Sequence, residues 1–73
     1  MKKITKARST QLKKGTTLTS YYEGDVIELL TDYSDFHRGY KYVNIEFDED
    51  GNEHRASYTG LITAQEITHY CEV

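Results

Sequence analysis

From Tyr40 to Phe47 apolar and polar side chains alternate without a break. Val43, Ile45 and Phe47 point one way, and Tyr42, Asn44 and Glu46 the other, which is the period of a half-buried strand. Such a strand cannot stand alone; it needs neighbours along its edges and a cover for its apolar face. The next six residues, Asp48-Glu49-Asp50-Gly51-Asn52-Glu53, turn the chain back, with an Asp-Gly pair suited to positive φ. With Asp50 and Gly51 in the turn, Phe47 faces His54, Ile45 faces Ala56 and Val43 faces Tyr58, all on one side. A three-residue loop would slide the pairing by one and set Ile45 against Arg55, so the pattern predicts an even-numbered loop. The acidic turn is only superficially like a calcium loop, because its glycine stands fourth rather than sixth.

The rest of the chain has the same β character. Nine threonines, seven tyrosines and two phenylalanines favour a pleated, half-buried surface. Residues 25–33 read as a strand with Ile27 and Leu29 on one face and Glu28 on the other. Glu23-Gly24-Asp25 is a turn, and residues 34–39 form a polar loop that holds Phe36. Earlier in the chain, a strand is expected around residues 4–8 and a loop at Lys13-Lys14-Gly15. Residues 16–22 read as a short strand or one limb of a long loop. Near the C-terminus, Thr63-Ala64-Gln65-Glu66 is a capping box, with Ile62 and Ile67 at the flanking staple positions. It predicts a helical turn over about residues 64–70, held by tertiary packing, and then an edge strand at Cys71-Glu72-Val73.

Seventy-three residues make one domain, with residues 1–6 as a flexible basic arm. A single cysteine excludes an internal disulfide and any zinc site built on several thiolates. No apolar run is long enough to span a membrane, and none follows Met1-Lys2-Lys3 to make a signal peptide. The expectation is a cytoplasmic protein without a membrane partner.

Several segments together resemble the SH3-like small barrel. Residues 23–30, Glu-Gly-Asp-Val-Ile-Glu-Leu-Leu, resemble the turn and second strand of that family. Tyr40 to Tyr42 lies where its aromatic third strand falls, and residues 60–67 are similar to the segment making one helical turn before the last strand. Ala7 stands about as far before Gly24 as the family's first-strand alanine. The resemblance, over roughly residues 7–73, implies an all-β fold: a five-stranded SH3-like barrel with one short helical turn. It does not imply a reader of proline-rich peptides. Ser9 and Gln11 stand in place of two groove tyrosines, Thr63 in place of the groove proline and Glu66 in place of the tyrosine after it. The first long loop, acidic in many relatives, carries Lys13 and Lys14 here.

No catalytic constellation emerges. His69 and Cys71 supply two of the four ligands of a structural zinc site, with no orienting group for a nucleophile pair. The five glycines are scattered, so no loop cradles phosphate. The expectation is a protein that is not an enzyme and uses no metal or cofactor.

Charge and aromatics carry the functional signal. Residues 1–22 hold six cations (Lys2, Lys3, Lys6, Arg8, Lys13 and Lys14) and no acid, whereas residues 23–73 hold three cations and twelve acids. Seven tyrosines exceed what so small a core absorbs with every hydroxyl satisfied. Tyr21, Tyr22, Tyr40 and Tyr42 are the candidates for the surface, and with Asp48, Glu49, Asp50 and Glu53 they suggest a protein-binding face. In size and style the chain resembles accessory proteins that modulate a larger machine, phage-encoded inhibitors included. The alternative partner is nucleic acid, gripped by the six N-terminal cations while tyrosines stack on bases. Monomer and symmetric dimer by strand addition both remain open.

Overall fold

The computed structural model describes residues 2–72. Six strands form one antiparallel sheet: β1 (Thr17–Ser20), β2 (Val26–Leu29), β3 (Gly39–Phe47), β4 (Glu53–Arg55), β5 (Gly60–Thr63) and β6 (Tyr70–Glu72). A single helical turn, α1 (Ala64–Ile67), joins the last two, and a 3-10 turn covers Arg8–Thr10. The fold is all-β apart from these turns. Neighbours run β4-β3-β2-β1-β6, and β5 also pairs with β3. β2 pairs along one edge of β3, so β4 and β5 share the other. They amount to one strand broken by a bulge. Two residues of β3 lie between Tyr42 and Ile45, but four lie between their partners Gly60 and Arg55. The extra pair, lying outside both strands, bends the edge.

Six strands replace the expected five, and the path ends at β4 and β6, which do not pair with each other, so the sheet is open. The expected first strand is reduced to a bridge of Lys3 with Cys71, followed by the Ile4 N–H donating to the Tyr70 carbonyl at 2.8 Å. Beyond it, side-chain oxygens bend the chain into the 3-10 turn. Thr5 Oγ1 accepts from the Arg8 N–H, and Ser9 Oγ donates to the Lys6 carbonyl. The expected arm is thus tied to the sheet at Lys3, and Ile4 is buried in the core.

Cross-strand partners share a face, so the register shows what each side holds. Leu18 opposes Ile27, Leu29 opposes Tyr42 and Tyr40 opposes Ile62. With Ile4, Leu12 and Ile67 all of these but Tyr42 make the main core, and Tyr42 packs against it together with Tyr33 and Tyr70. On the other side Cys71, Thr19, Val26, Ile45 and Arg55 line up across β6-β1-β2-β3-β4. There the Arg55 guanidinium reaches Glu28, itself opposite Val43.

Two sequence expectations are corrected by this register. Tyr40 lies on the main core face, so it is buried at 1 % exposure rather than displayed. Alternation correctly separates Val43 and Ile45 from Tyr42, but both faces of β3 are covered, and period alone does not reveal a second cover. The hairpin is also shifted by one: Ile45 faces Arg55, Glu46 faces His54 and Phe47 faces Glu53. Gly51, at φ 83°, takes the left-handed position at the end of a three-residue loop closed by the Asp48 N–H donating to the Asn52 carbonyl at 3.0 Å. β4 is exposed throughout, so burial had no hold on its register, and Phe47 and Tyr58 emerge at the surface.

Other readings hold with tighter bounds, and the helical turn expected over residues 64–70 is shorter, Ala64–Ile67, because Tyr70 is drawn into β6. The strand over residues 25–33 is shorter, Val26–Leu29, with Ile27 and Leu29 buried. Its ladder is interrupted where Thr31 Oγ1 accepts the Lys41 N–H. The capping box is complete: Thr63 Oγ1 accepts from the Glu66 N–H, and the Glu66 carboxylate accepts from the Thr63 N–H. Ile62 and Ile67 on either side are both in the core. The terminal strand is Tyr70–Glu72, an edge strand beside β1, while Val73 lies outside the described residues. No helix among the described residues is long and apolar enough to cross a membrane.

Candidate interaction surface

The β2–β3 register fixes which loops share an end of the sheet. Val26 opposes Ile45, so the turn at residues 21–25 and the hairpin at residues 48–52 lie at the same end of the sheet. There Gly24, Asp25, Val26, Asn44, Ile45, Glu46 and Phe47 line an open groove. Asp25 and Glu46 line it, and with Glu23, Asp48, Glu49, Asp50 and Glu53 they put seven of the twelve carboxylates at this end of the sheet.

The turn holds its tyrosines outward. The Ser20 N–H donates to the Asp25 carbonyl at 2.7 Å, and Ser20 Oγ accepts from the Glu23 N–H. The Tyr21 N–H donates to the His69 carbonyl at 2.9 Å, tying the turn to the segment after α1. Tyr21 and Tyr22 are exposed and meet edge to face, with centroids 5.1 Å apart. Lys3 sits on both rings, its Nζ 5.0 and 4.9 Å from the centroids, and donates to the Tyr22 hydroxyl at 2.9 Å. That hydrogen bond raises the Lys3 ammonium above its ordinary pKa.

The hairpin is organised by Asp48, whose Oδ1 accepts from the Asp50 and Asn52 N–H groups, both at 2.9 Å. Its Oδ2 meets His54 Nε2 at 2.9 Å. His54 first, then the Asn52 amide, holds the Asp48 carboxyl below its ordinary value. This support is present above that ordinary value and fades as pH falls through the lowered one. Glu49, Asp50 and Glu53 stay exposed around the loop.

Of the four candidate tyrosines, Tyr21 and Tyr22 are on this end, Tyr42 is half-buried against the core, and Tyr40 is interior. The Tyr40 hydroxyl donates to the Ser9 carbonyl at 2.6 Å and accepts from the Leu12 N–H at 3.1 Å. Burial pushes its phenol pKa up. Phe47, 54 % exposed, joins the surface instead, together with Glu23, Asp25 and Glu46. None had been singled out from sequence, because their proximity depends on strand pairing.

The six N-terminal cations are dispersed. Lys3 is engaged by the tyrosines, and Arg8 forms a half-exposed pair with Glu72 at 2.9 Å, which lowers the Glu72 carboxyl. Lys13 and Lys14 lie at the far end of the sheet, where the Gly15 N–H donates to the Leu29 carbonyl. Lys2 and Lys6 are exposed. His69 and Cys71 do not meet a third ligand; no metal-sized cluster occurs among the described residues, and Cys71 is buried.

The chain matches no family model, no curated protein and no solved structure.

Proposed function

We propose that this protein is a small, non-enzymatic interaction module that binds and modulates a larger protein through the acidic, aromatic end of its sheet. The observation that carries this reading is the groove between residues 24–26 and 44–47, which joins two distant segments and is lined by Asp25 and Glu46. It lies at the end of the sheet that also carries Glu23, Asp48, Glu49, Asp50 and Glu53. Tyr21, Tyr22 and Phe47 contribute rigid apolar area, and the carboxylates select a basic partner surface. We read the scaffold as SH3-like: β6 returns beside β1 after one helical turn, and β1 to β4 are successive antiparallel neighbours. The open gap between β4 and β6 is its departure from a barrel.

The test is capture from a lysate by the intact chain and by a variant carrying Glu46→Lys, Glu49→Lys and Glu53→Lys, with nuclease and at two salt concentrations. The expected result is one or two stoichiometric proteins that survive nuclease and are lost with the variant, while its circular dichroism stays native. Partners that vanish with nuclease, or that the variant retains, overturn the proposal; the first outcome favours nucleic acid.

A further inference from the structure

The other end of the sheet is opposite in character. The loop between β2 and β3 carries Phe36, His37 and Arg38 with the acids Asp32 and Asp35, and Lys41 on β3 lies at the same end of the sheet as Lys13 and Lys14. Asp32 is engaged by the Lys14 N–H at 2.8 Å. The tip of this loop is a built feature. Ser34 and Gly39 exchange two backbone hydrogen bonds, 2.9 and 3.2 Å, that clasp the four residues 35–38. Phe36 is 90 % exposed, the most exposed large apolar residue among those described, and stands edge-on to His37 at 4.9 Å. Arg38 adopts φ 55°, a left-handed backbone that glycine or asparagine adopts at lower cost. Its carbonyl thereby accepts from the Ala64 N–H at 3.0 Å, at the start of α1. The left-handed backbone does not require the guanidinium, which stands exposed at the tip.

We propose that this tip is a plug for the acidic groove of a second copy of the same chain. Both halves of the contact are present in one molecule, and they match. The plug offers the Phe36 ring between Asp35 and His37, with Arg38 next to it. Lys13, Lys14 and Lys41 lie at the same end of the sheet, where with Arg38 four cations outnumber the two acids Asp32 and Asp35. The groove offers Val26, Ile45 and Phe47 between Asp25 and Glu46. The nine residues of β3 lie between the two ends, about 27 Å of extended chain, well beyond the Debye length at physiological salt. The charges at the two ends of one chain are therefore screened from each other, and a second copy brings the basic end of one chain onto the acidic end of another. The contact is heterologous, so copies add one to the next. It is small, and the association is correspondingly weak and salt-sensitive.

Sedimentation of the full chain from about 10 µM to about 1 mM, at low and high salt, reads it out. At low salt the mean mass rises with concentration above that of one chain, and at about 0.5 M salt it returns to one chain. Phe36→Ser lowers the association about tenfold or more without changing thermal stability, because the ring supports nothing in the fold. Asp25→Lys with Glu46→Lys abolishes self-association from the groove side. Mixing these two variants is decisive: one has an intact groove and the other an intact plug, so the mixture forms pairs and stops at two chains. Arg38→Gly keeps or raises stability while weakening association, separating the side chain from the backbone. A single-chain mass across the whole range at low salt overturns the proposal, as does association indifferent to Phe36→Ser. The groove is shared with the proposed function, but the outcomes are separable: a chain that captures a foreign protein yet never self-associates loses only this inference.

Discussion

Tyr40 shows how one hydroxyl can hold two distant segments together. It donates to the Ser9 carbonyl and accepts from the Leu12 N–H, closing the chain across 31 and 28 residues. Both backbone groups belong to a stretch with no strand neighbour of its own, and Leu12 is itself buried. Tyr40→Phe removes one partner from each and leaves the Leu12 N–H buried without an acceptor, a loss of about 1–3 kcal/mol. Urea unfolding of the variant beside the parent checks this. A midpoint unchanged within error would mean that water replaces the hydroxyl. Alternation marks Tyr40 as lying opposite Val43, but its burial depends on Leu12 and Ser9, which no local pattern connects to it.

Among the elements, the β3–β5 pair is the one most tightly specified. A Cβ on Gly39 would collide with the Ile62 carbonyl oxygen and crowd the Thr63 Cα, both backbone, so no side-chain movement relieves it. Gly39 also closes the clasp with Ser34 and opposes Thr63, the residue that caps α1. Gly39→Ala is therefore expected to force β5 away from β3, a loss of about 1–3 kcal/mol or more. Amide exchange in β5 and α1 measures it: faster exchange there, with β1 and β2 protected, is the expected outcome. Uniform protection equal to the parent would sink the argument. The capping box needed no such context, because its donors and acceptors lie within four consecutive residues. The hairpin register did need it. Both readings put Gly51 in the loop, and the exposed side chains of β4 gave burial nothing to decide with.

At the scale of the whole molecule, the chain is closed on itself by its first residues. Lys3 bridges Cys71, Ile4 enters the core beside Ile67, and Arg8 reaches Glu72. A core this small supplies roughly 3–5 kcal/mol in all, and losing one buried Ile side chain to Ala costs about 2–5 kcal/mol. Ile4→Ala is thus expected to leave the protein largely unfolded at 25 °C, with the strand signature of its circular dichroism lost. A native spectrum with a parent-like thermal midpoint would show that the N-terminal segment is peripheral after all.

The sequence by itself determined the local features: the antiparallel hairpin after Phe47, the turn at Gly24, the buried pair Ile27 and Leu29, and the capped turn at Thr63. Each is read within a few consecutive positions: turn residues, a cap, or the shared parity of Ile27 and Leu29. Tertiary structure alone decided the two ends of the sheet. Asp25 shares a groove with Glu46 and Phe47 only because β2 pairs with β3 in one register, and the same pairing sends Phe36 and Arg38 to the opposite end. The physical reason is that a period of two assigns side chains to faces, while strand partners and covered faces are chosen by packing among residues far apart in the chain.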